Sequence, residues 1–269
     1  MDLAKDSSHV PDLLRHQDQV LWTGGRRGAP VARNLGVQAA RGNIVAFLDD
    51  DDEWLPKKLE QQLKIARTIE TSGRLPVVAT QHIQVEGSSG RSSGPVPIKV
   101  FEGEAAVSEF LFRRRRPGGG RASMYTSTLM VSRAAAVRVP WDESLKRHQD
   151  WDWLIRLDGE DDVRVAQAPW VGTLVHSGSV GSLSASSDWQ TSLAWADNIL
   201  PAEPKGVYED FLTAQTARYA IAARSFNGVR SVVRRLLSRR RLPAVGPVLI
   251  ALAAIMPRSV LERLMTRIR

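Results

Sequence analysis

The chain has 269 residues, of which 43% are hydrophobic and 25% charged; this is the composition of a folded globular protein and excludes a disordered, collagen-like or coiled-coil chain. It contains no cysteine, which removes disulfide scaffolds, thiolate zinc sites and cysteine nucleophiles. The 37 Lys and Arg against 29 Asp and Glu give a net charge of +8, a balance that suits phosphate-bearing substrates, anionic lipid or nucleic acid.

The opening MDLAKDSSHV lacks the apolar core of a signal peptide, so a cytoplasmic location is expected. In PVARNLGVQAARG, Pro30 stands at a first helical position, Val31, Leu35 and Ala39 repeat every four residues, and Gly42 is a stop; the segment predicts a short helix. The run Ile44 to Leu48, IVAFL, has the length and continuous apolarity of a strand covered on both faces. A second helix is predicted from Pro56, with Leu59, Leu63 and Ala66 on its buried face and Lys57, Lys58, Glu60 and Lys64 outside. Further strands are predicted at Val77 to Thr80 and Ser127 to Val131, then a helix over Gln149 to Leu157, then short strands at Val163 to Ala166 and Val171 to Val175. EGSSGRSSGP at 86 to 95 and RRRRPGGG at 113 to 120 read as loops. From Trp189 onward the pattern is helical and basic. The expected organisation is an α/β domain over 1 to 187, followed by a helical basic region over 188 to 269.

Four carboxylates, Asp49, Asp50, Asp51 and Asp52, follow the first strand directly, at the strand end where open α/β sheets bind ligands. Such crowded acids repel one another, and a hard divalent cation, Mg²⁺ or Mn²⁺, sharing its shell with substrate phosphate would compensate them. Taken alone, the same run also reads as a solvated acidic turn opposite the positive end of the following helix.

The ordered string GAPVARNLGVQAARGNIVAFLDDDDEWLPKKLEQQL, with Gly28, Ala32, Arg33, Asn34, Gly36, Gly42, the acids, Trp54, Pro56, Lys58 and Leu59 in register, resembles the signature of family 2 glycosyltransferases of the GT-A fold. The resemblance implies a Rossmann-like, mostly parallel sheet flanked by helices. It implies that Asp49 and Asp51 form the D-x-D pair, Asp51 as direct metal ligand and Asp49, with Asp50, toward the sugar nucleotide. It further implies an inverting, metal-assisted transfer of a sugar from a nucleotide-diphosphate sugar to a glycan or lipid-linked acceptor, in cell-surface polysaccharide or glycoconjugate synthesis. Arg33 is a candidate phosphate contact, and equally a helical Arg pairing with nearby acids. A later stretch, VPWDESLKRHQDWDWLIRLDG, resembles the family segment that carries the catalytic aspartate. By it Asp150 is the general base that takes the acceptor's proton, with Gln149 where many members have Glu. On a helix, Asp152 points about 200° away from Asp150, so the two are not expected to act as a dyad.

Arg147 and His148 are candidates for phosphate or acceptor, or an exposed basic pair. Trp54, Trp151 and Trp153 are candidates for a sugar-stacking ring, and equally for core. LVHSGSVGSLSAS reads as a lid over the diphosphate, with His176 an additional metal ligand or a structural histidine. Lys5-Asp6-Ser7-Ser8 stands where the family has a strand ending in D-D-G-S, so Asp6 is carried over as a nucleotide contact; the first strand and helix of the family pattern are not present. A truncated inactive remnant, or a non-catalytic binding protein of the same fold, is the alternative reading. Finally, Arg234, Arg235, Arg239, Arg240 and Arg241 adjoin the apolar stretch from Leu242 to Pro257, which is too short to span a bilayer. Basic plus apolar suggests peripheral attachment to an anionic membrane surface, against the plainer reading of a solvated helix face. No nucleic-acid recognition motif accompanies the basic residues, so nucleic acid is not an expected partner.

Overall fold

The computed structural model describes residues 18–87, 90–113, 122–177 and 187–254. Asp6, most of the run at 113 to 120, residues 178–186 of the Gly/Ser stretch and the final SVLERLMTRIR lie outside the described residues. Met1–Val107 with Ser123–Val180 forms one compact unit, and Ser108–Ala122 with Gly181–Arg269 forms a second. The second unit thus takes a segment from the middle of the α/β part of the sequence.

The first unit is built on five strands, β1 (Ile44–Ala46), β2 (Glu53–Trp54), β3 (Leu75–Glu86), β4 (Met130–Ser132) and β5 (Val163–Ser177), ordered β1-β4-β3-β5-β2. The sheet is mixed. One parallel pair, β3 with β5, runs the full length of β3, while β1 with β4, β4 with β3 and β5 with β2 are short antiparallel pairs. The expected mostly parallel sheet is therefore corrected: parallel pairing dominates the paired length but not the number of strand pairs. β3 lies in the middle, and its residues from Pro76 to His82 are all buried, as a strand covered on both faces requires. The two short strands read at 163 to 166 and 171 to 175 are one strand, whose register with β3 shifts around Gln81. The strand read at Ser127 begins instead at Met130, because Thr126–Thr128 forms a 3₁₀ turn ahead of β4.

Helix α1 (Ala29–Ala39) starts after Gly28, whose φ of 88° suits a residue without Cβ, and has Pro in its first turn. Helix α2 (Lys58–Thr71) follows Lys57, which is itself left-handed with φ 68°. The helix therefore begins at Lys58, and its buried row is Lys58, Gln62, Ala66 and Ile69. Ala66 is buried and Lys57, Glu60 and Lys64 are exposed as expected, whereas two positions of the predicted pattern are exchanged, Lys58 being 1% exposed and Leu59 41%. The cause is Gln62, whose side-chain N–H donates to the carbonyls of Val78 (2.7 Å) and Thr128 (2.9 Å), groups that would be costly to bury unpaired. Ala66 and Ile69 meet Val78 and Met130 beneath them, with Leu63 at the margin. Elsewhere in this unit, Phe47 packs edge-on to Trp141 and Trp153, which stack on each other at 4.1 Å between centroids. Trp153 belongs to α5 (Gln149–Asp158). Helix α4 (Arg133–Arg138) completes the unit, and α3 (Val107–Phe112) leads into the second.

The second unit is helical: α6 (Trp189–Ile199), α7 (Val207–Phe211), a π-helical stretch Leu212–Ala217, α8 (Arg218–Ala222), α9 (Phe226–Arg239) and α10 (Val245–Ala253). Its core joins Phe112, Trp195 and Phe211. Two acids are sealed within it, Glu209 at 1% and Asp210 at 0% exposure. Each has a cationic partner, Arg239 for Glu209 (3.3 Å) and Arg113 for Asp210 (3.5 Å), and the Ala244 N–H also donates to Asp210 (2.7 Å).

Candidate active site

The acidic turn sits at the carboxyl end of β5. Glu53 and Trp54 of β2 pair with Leu174 and Thr173, and the main-chain N–H of His176 donates to Asp52 Oδ1 at 3.0 Å. Within the turn the Asp52 N–H returns to the Asp49 carbonyl (3.1 Å), so four successive acidic residues share one tight bend. Burial lifts the Asp52 carboxyl to about 6, and the neighbouring charges of Asp49 and Asp51 add to the rise. Hydrogen bonds from Ser127 and the His176 main chain oppose it. Asp50 and Asp51 are exposed.

Arg33 joins this turn to the second predicted motif. Its guanidinium stacks over Trp141 at 4.6 Å and donates to Asp49 Oδ1 at 2.8 Å and to Gln149 Oε1 at 3.2 Å. The same guanidinium lies 3.8 Å from Asp150 Oδ1. α1, the end of β1 and the start of α5 therefore converge on one cation, 13% exposed at its side chain. Asp150 is half-buried and accepts from the Thr126 hydroxyl (2.6 Å) and more weakly from the Thr126 N–H (3.3 Å). Burial raises its carboxyl above the ordinary range and Asp49 adds to this, while Arg33 and the Thr126 bonds pull it down. Asp152, on the other side of the helix, is 2% exposed and pairs with Arg156 at 2.7 Å.

The 3₁₀ turn at Thr126–Thr128 is the support that the sequence reading missed. Ser127 Oγ accepts from the Asp49 N–H (3.0 Å), and the Ser127 carbonyl accepts from Trp54 Nε1 (2.9 Å), so neighbouring hydroxyl residues hold both carboxylate motifs. The polar TST immediately before a buried strand was the available signal. Asn34 is a packing residue: its amide exchanges two hydrogen bonds with the Trp141 backbone, at 2.9 and 2.8 Å.

The remaining candidates fall differently. Trp54 is half-buried, with its indole N–H committed to Ser127 and its ring beneath the Lys58 ammonium at 4.5 Å. That ammonium, brought down to about 7 by burial, donates to Gln62 (2.7 Å). Trp153 is 0% exposed and donates to the Val139 carbonyl (2.6 Å); it is core. Trp151 stacks on His148 at 4.8 Å. Arg147 is buried rather than exposed. His176 lies beside the acidic turn, with Nε2 3.1 Å from Glu53. A separate polar cavity of about 280 Å³, lined by Arg74, Asp158 and Arg164 among others, lies at the opposite, amino end of β3 and β5.

The class is that of α/β proteins with a mixed sheet, here with a carboxylate-rich, arginine-bridged cluster at strand ends, the place where open α/β sheets commonly bind ligands. Residues 9–137 match the family model for Glycosyl transferase family 2. The amylovoran biosynthesis glycosyltransferase AmsB of Erwinia amylovora is 33% identical over 174 residues, which cover 63% of this chain and 54% of the relative. The chain thus spans about half the length of that protein. A putative teichuronic acid biosynthesis glycosyltransferase, TuaG of Bacillus subtilis, is 49% identical over 63 residues, 23% of this chain and 25% of the relative. Among solved structures, S. aureus TarS 1-349 in complex with UDP-GlcNAc is similar with a TM-score of 0.45 and 16% identity, over 67% of this chain and 51% of that one.

Proposed function

We propose that the chain transfers a sugar, with inversion, from a nucleotide-diphosphate sugar to a glycan or lipid-linked acceptor in polysaccharide synthesis. The observation that carries this reading is Arg33: it stands between Asp49 of the acidic turn and Asp150 of α5, two residues far apart in sequence that this chemistry needs side by side. The relatives, named for roles in amylovoran and teichuronic acid biosynthesis, support the substrate class.

Asp150 takes the proton of the attacking acceptor hydroxyl. A carboxylate raised by burial is a stronger base near neutral pH than an ordinary one, and the Thr126 hydroxyl fixes its orientation. Arg33 holds Asp49 and Asp150 at a set spacing and keeps two like charges tolerable at short range. Among the described residues no three His, Asp or Glu converge to hold a metal. The donor set still fits a divalent cation such as Mg²⁺ or Mn²⁺: among the described residues Asp51 is exposed with no hydrogen bond or ion pair, and the Asp49 carboxylate engages Arg33 through Oδ1 alone. Such ions are commonly held by one or two carboxylates with water and substrate phosphate completing the shell. Asp51 and Asp49 would hold it, and it would supply Lewis-acid neutralisation of the departing diphosphate.

The test is calorimetric titration of the folded chain with UDP, GDP and dTDP and their sugars, with and without Mn²⁺. Metal-dependent binding of one nucleotide is expected, lost in Asp51→Ala and retained in Asp150→Asn. A folded sample that binds none of them would overturn the reading in favour of a non-catalytic remnant.

A further inference from the structure

Helices α9 and α10 both pack against the π-helical stretch Leu212–Ala217 and both leave their other side uncovered. On α9 the inward side carries Gly228 and Val232, while Phe226, Val233 and Leu237 are 78%, 46% and 71% exposed. Those three recur at helical spacing and share one face. Leu242, in the connection to α10, is 90% exposed. On α10, Gly246 and Pro247 face inward, and Val245, Leu249 and Leu252 are 62%, 45% and 48% exposed.

The arginines of α9 divide by the same geometry. Arg235 turns inward onto Asp197 at 2.6 Å, and Arg239 onto Glu209 at 3.3 Å and over the Tyr208 ring at 4.6 Å. Arg230, Arg234, Arg240 and Arg241 are exposed, and Arg230 and Arg234 run along one side of the Phe226-Val233-Leu237 row on the helix. The sequence has no Asp or Glu from Phe211 to Leu261, so nothing in this stretch neutralises them. Five arginines in this region were expected to serve a membrane surface; Arg235 and Arg239 are withdrawn from that role by their internal partners.

We infer that the outer face of α9, with Leu242 and the outer face of α10, is a docking surface for an anionic lipid bilayer. Charge complementarity singles out this occupant: a face of exposed aliphatic and aromatic side chains bordered by cations, in a stretch with no carboxylate, matches the headgroup and acyl boundary of a negatively charged leaflet. A second copy of the same face would bring like charges together. No helix among the described residues is long and apolar enough to cross a membrane, and the attachment inferred is a peripheral one. The inference does not depend on the transferase reading.

The experiment is flotation of the full chain with vesicles of phosphatidylcholine alone and of phosphatidylcholine with phosphatidylglycerol, at low and high salt. Binding to the anionic vesicles, weakening with salt, is expected. Phe226→Ser with Leu237→Ser, both largely exposed, should keep the circular dichroism spectrum and weaken binding at least about tenfold. Arg230→Gln with Arg234→Gln should weaken it about fivefold per arginine and flatten the salt dependence. Equal binding to neutral vesicles, binding unchanged by either double variant, or no binding at all would overturn the inference. Sedimentation separates the remaining occupant: a dimer abolished by Phe226→Ser with Leu237→Ser, without vesicle binding, assigns the face to a second copy and also overturns it.

Discussion

The two units handle charge in opposite ways. In the helical unit each interior carboxylate has its own arginine: Glu209 with Arg239, Asp210 with Arg113, and the half-buried Asp197 with Arg235. In the α/β unit, Asp49 to Asp52 and Asp150 crowd one end of the sheet, and one arginine, Arg33, is shared between Asp49 and Asp150. One-to-one pairing offsets part of the penalty of burying each charge and ties helices together. Burial raises the carboxyls of Asp150 and Asp52, and the neighbouring charge of Asp49 adds to the rise at both. An arrangement of the first kind serves the fold; one of the second kind stays receptive to a cationic or metal-borne ligand at some cost in stability.

Substitutions in the two regions should separate these roles. Asp150→Asn should give the largest change, a loss of transfer of about 10²- to 10⁴-fold, the usual contribution of a positioned base, with donor affinity retained by calorimetry; near-full transfer would remove Asp150 as the base. Arg239→Ala leaves Glu209 buried without its cation and should lower unfolding free energy by about 3 kcal/mol in urea titration, with transfer per folded molecule unchanged. Arg33→Met should behave in the reverse sense. Losing hydrogen bonds to charged groups should cut kcat/KM roughly 10- to 100-fold with little loss of stability. Because Arg33 holds the Asp150 carboxyl down, the acid limb of the pH profile should also move to higher pH.

The smallest effect is expected at Asp52. Its folded carboxyl titrates near 6 against an ordinary 3.8, so the folded state binds the proton more tightly. The associated stability is present below 3.8 and lost as pH rises toward 6. Thermal melts of Asp52→Asn should lack this decline, and the variant should be relatively more stable at neutral pH than in acid.

Much of this site was legible in the sequence because its parts are local. The helix carrying Arg33 and the helix carrying Asp150 follow from spacing and composition within a few residues, whereas of the run IVAFL only Ile44–Ala46 is a strand, half-buried and paired antiparallel at the end of the described sheet rather than covered on both faces. What failed to show was set by partners distant in the chain. Lys58 is inside and Leu59 outside because Gln62 serves carbonyls of β3 and of the turn before β4, and no periodicity within α2 reports on those carbonyls. Thr126 and Ser127 read as the start of a strand, because hydroxyl side chains reveal nothing of the carboxylates they hold until α5 and the acidic turn are brought to them. Likewise the two apolar runs of β5 looked like separate strands, since it is the long partner β3 that keeps them one.

That partnership also sets the timing of assembly. β3 ends at Glu86, and its parallel neighbour is complete only at Ser177. On a ribosome the partner strand is finished about 90 residues later, roughly 5 to 20 s at ordinary elongation rates. Through that interval a strand destined for the middle of the sheet has no permanent neighbour on its β5 side, and the acidic turn has no β5 end to rest on. Newly made chains are therefore most exposed to aggregation and to holdase chaperones before β5 emerges, and chains released within that window should be cleared by proteases, because the long-range pairing that protects β3 has not yet formed.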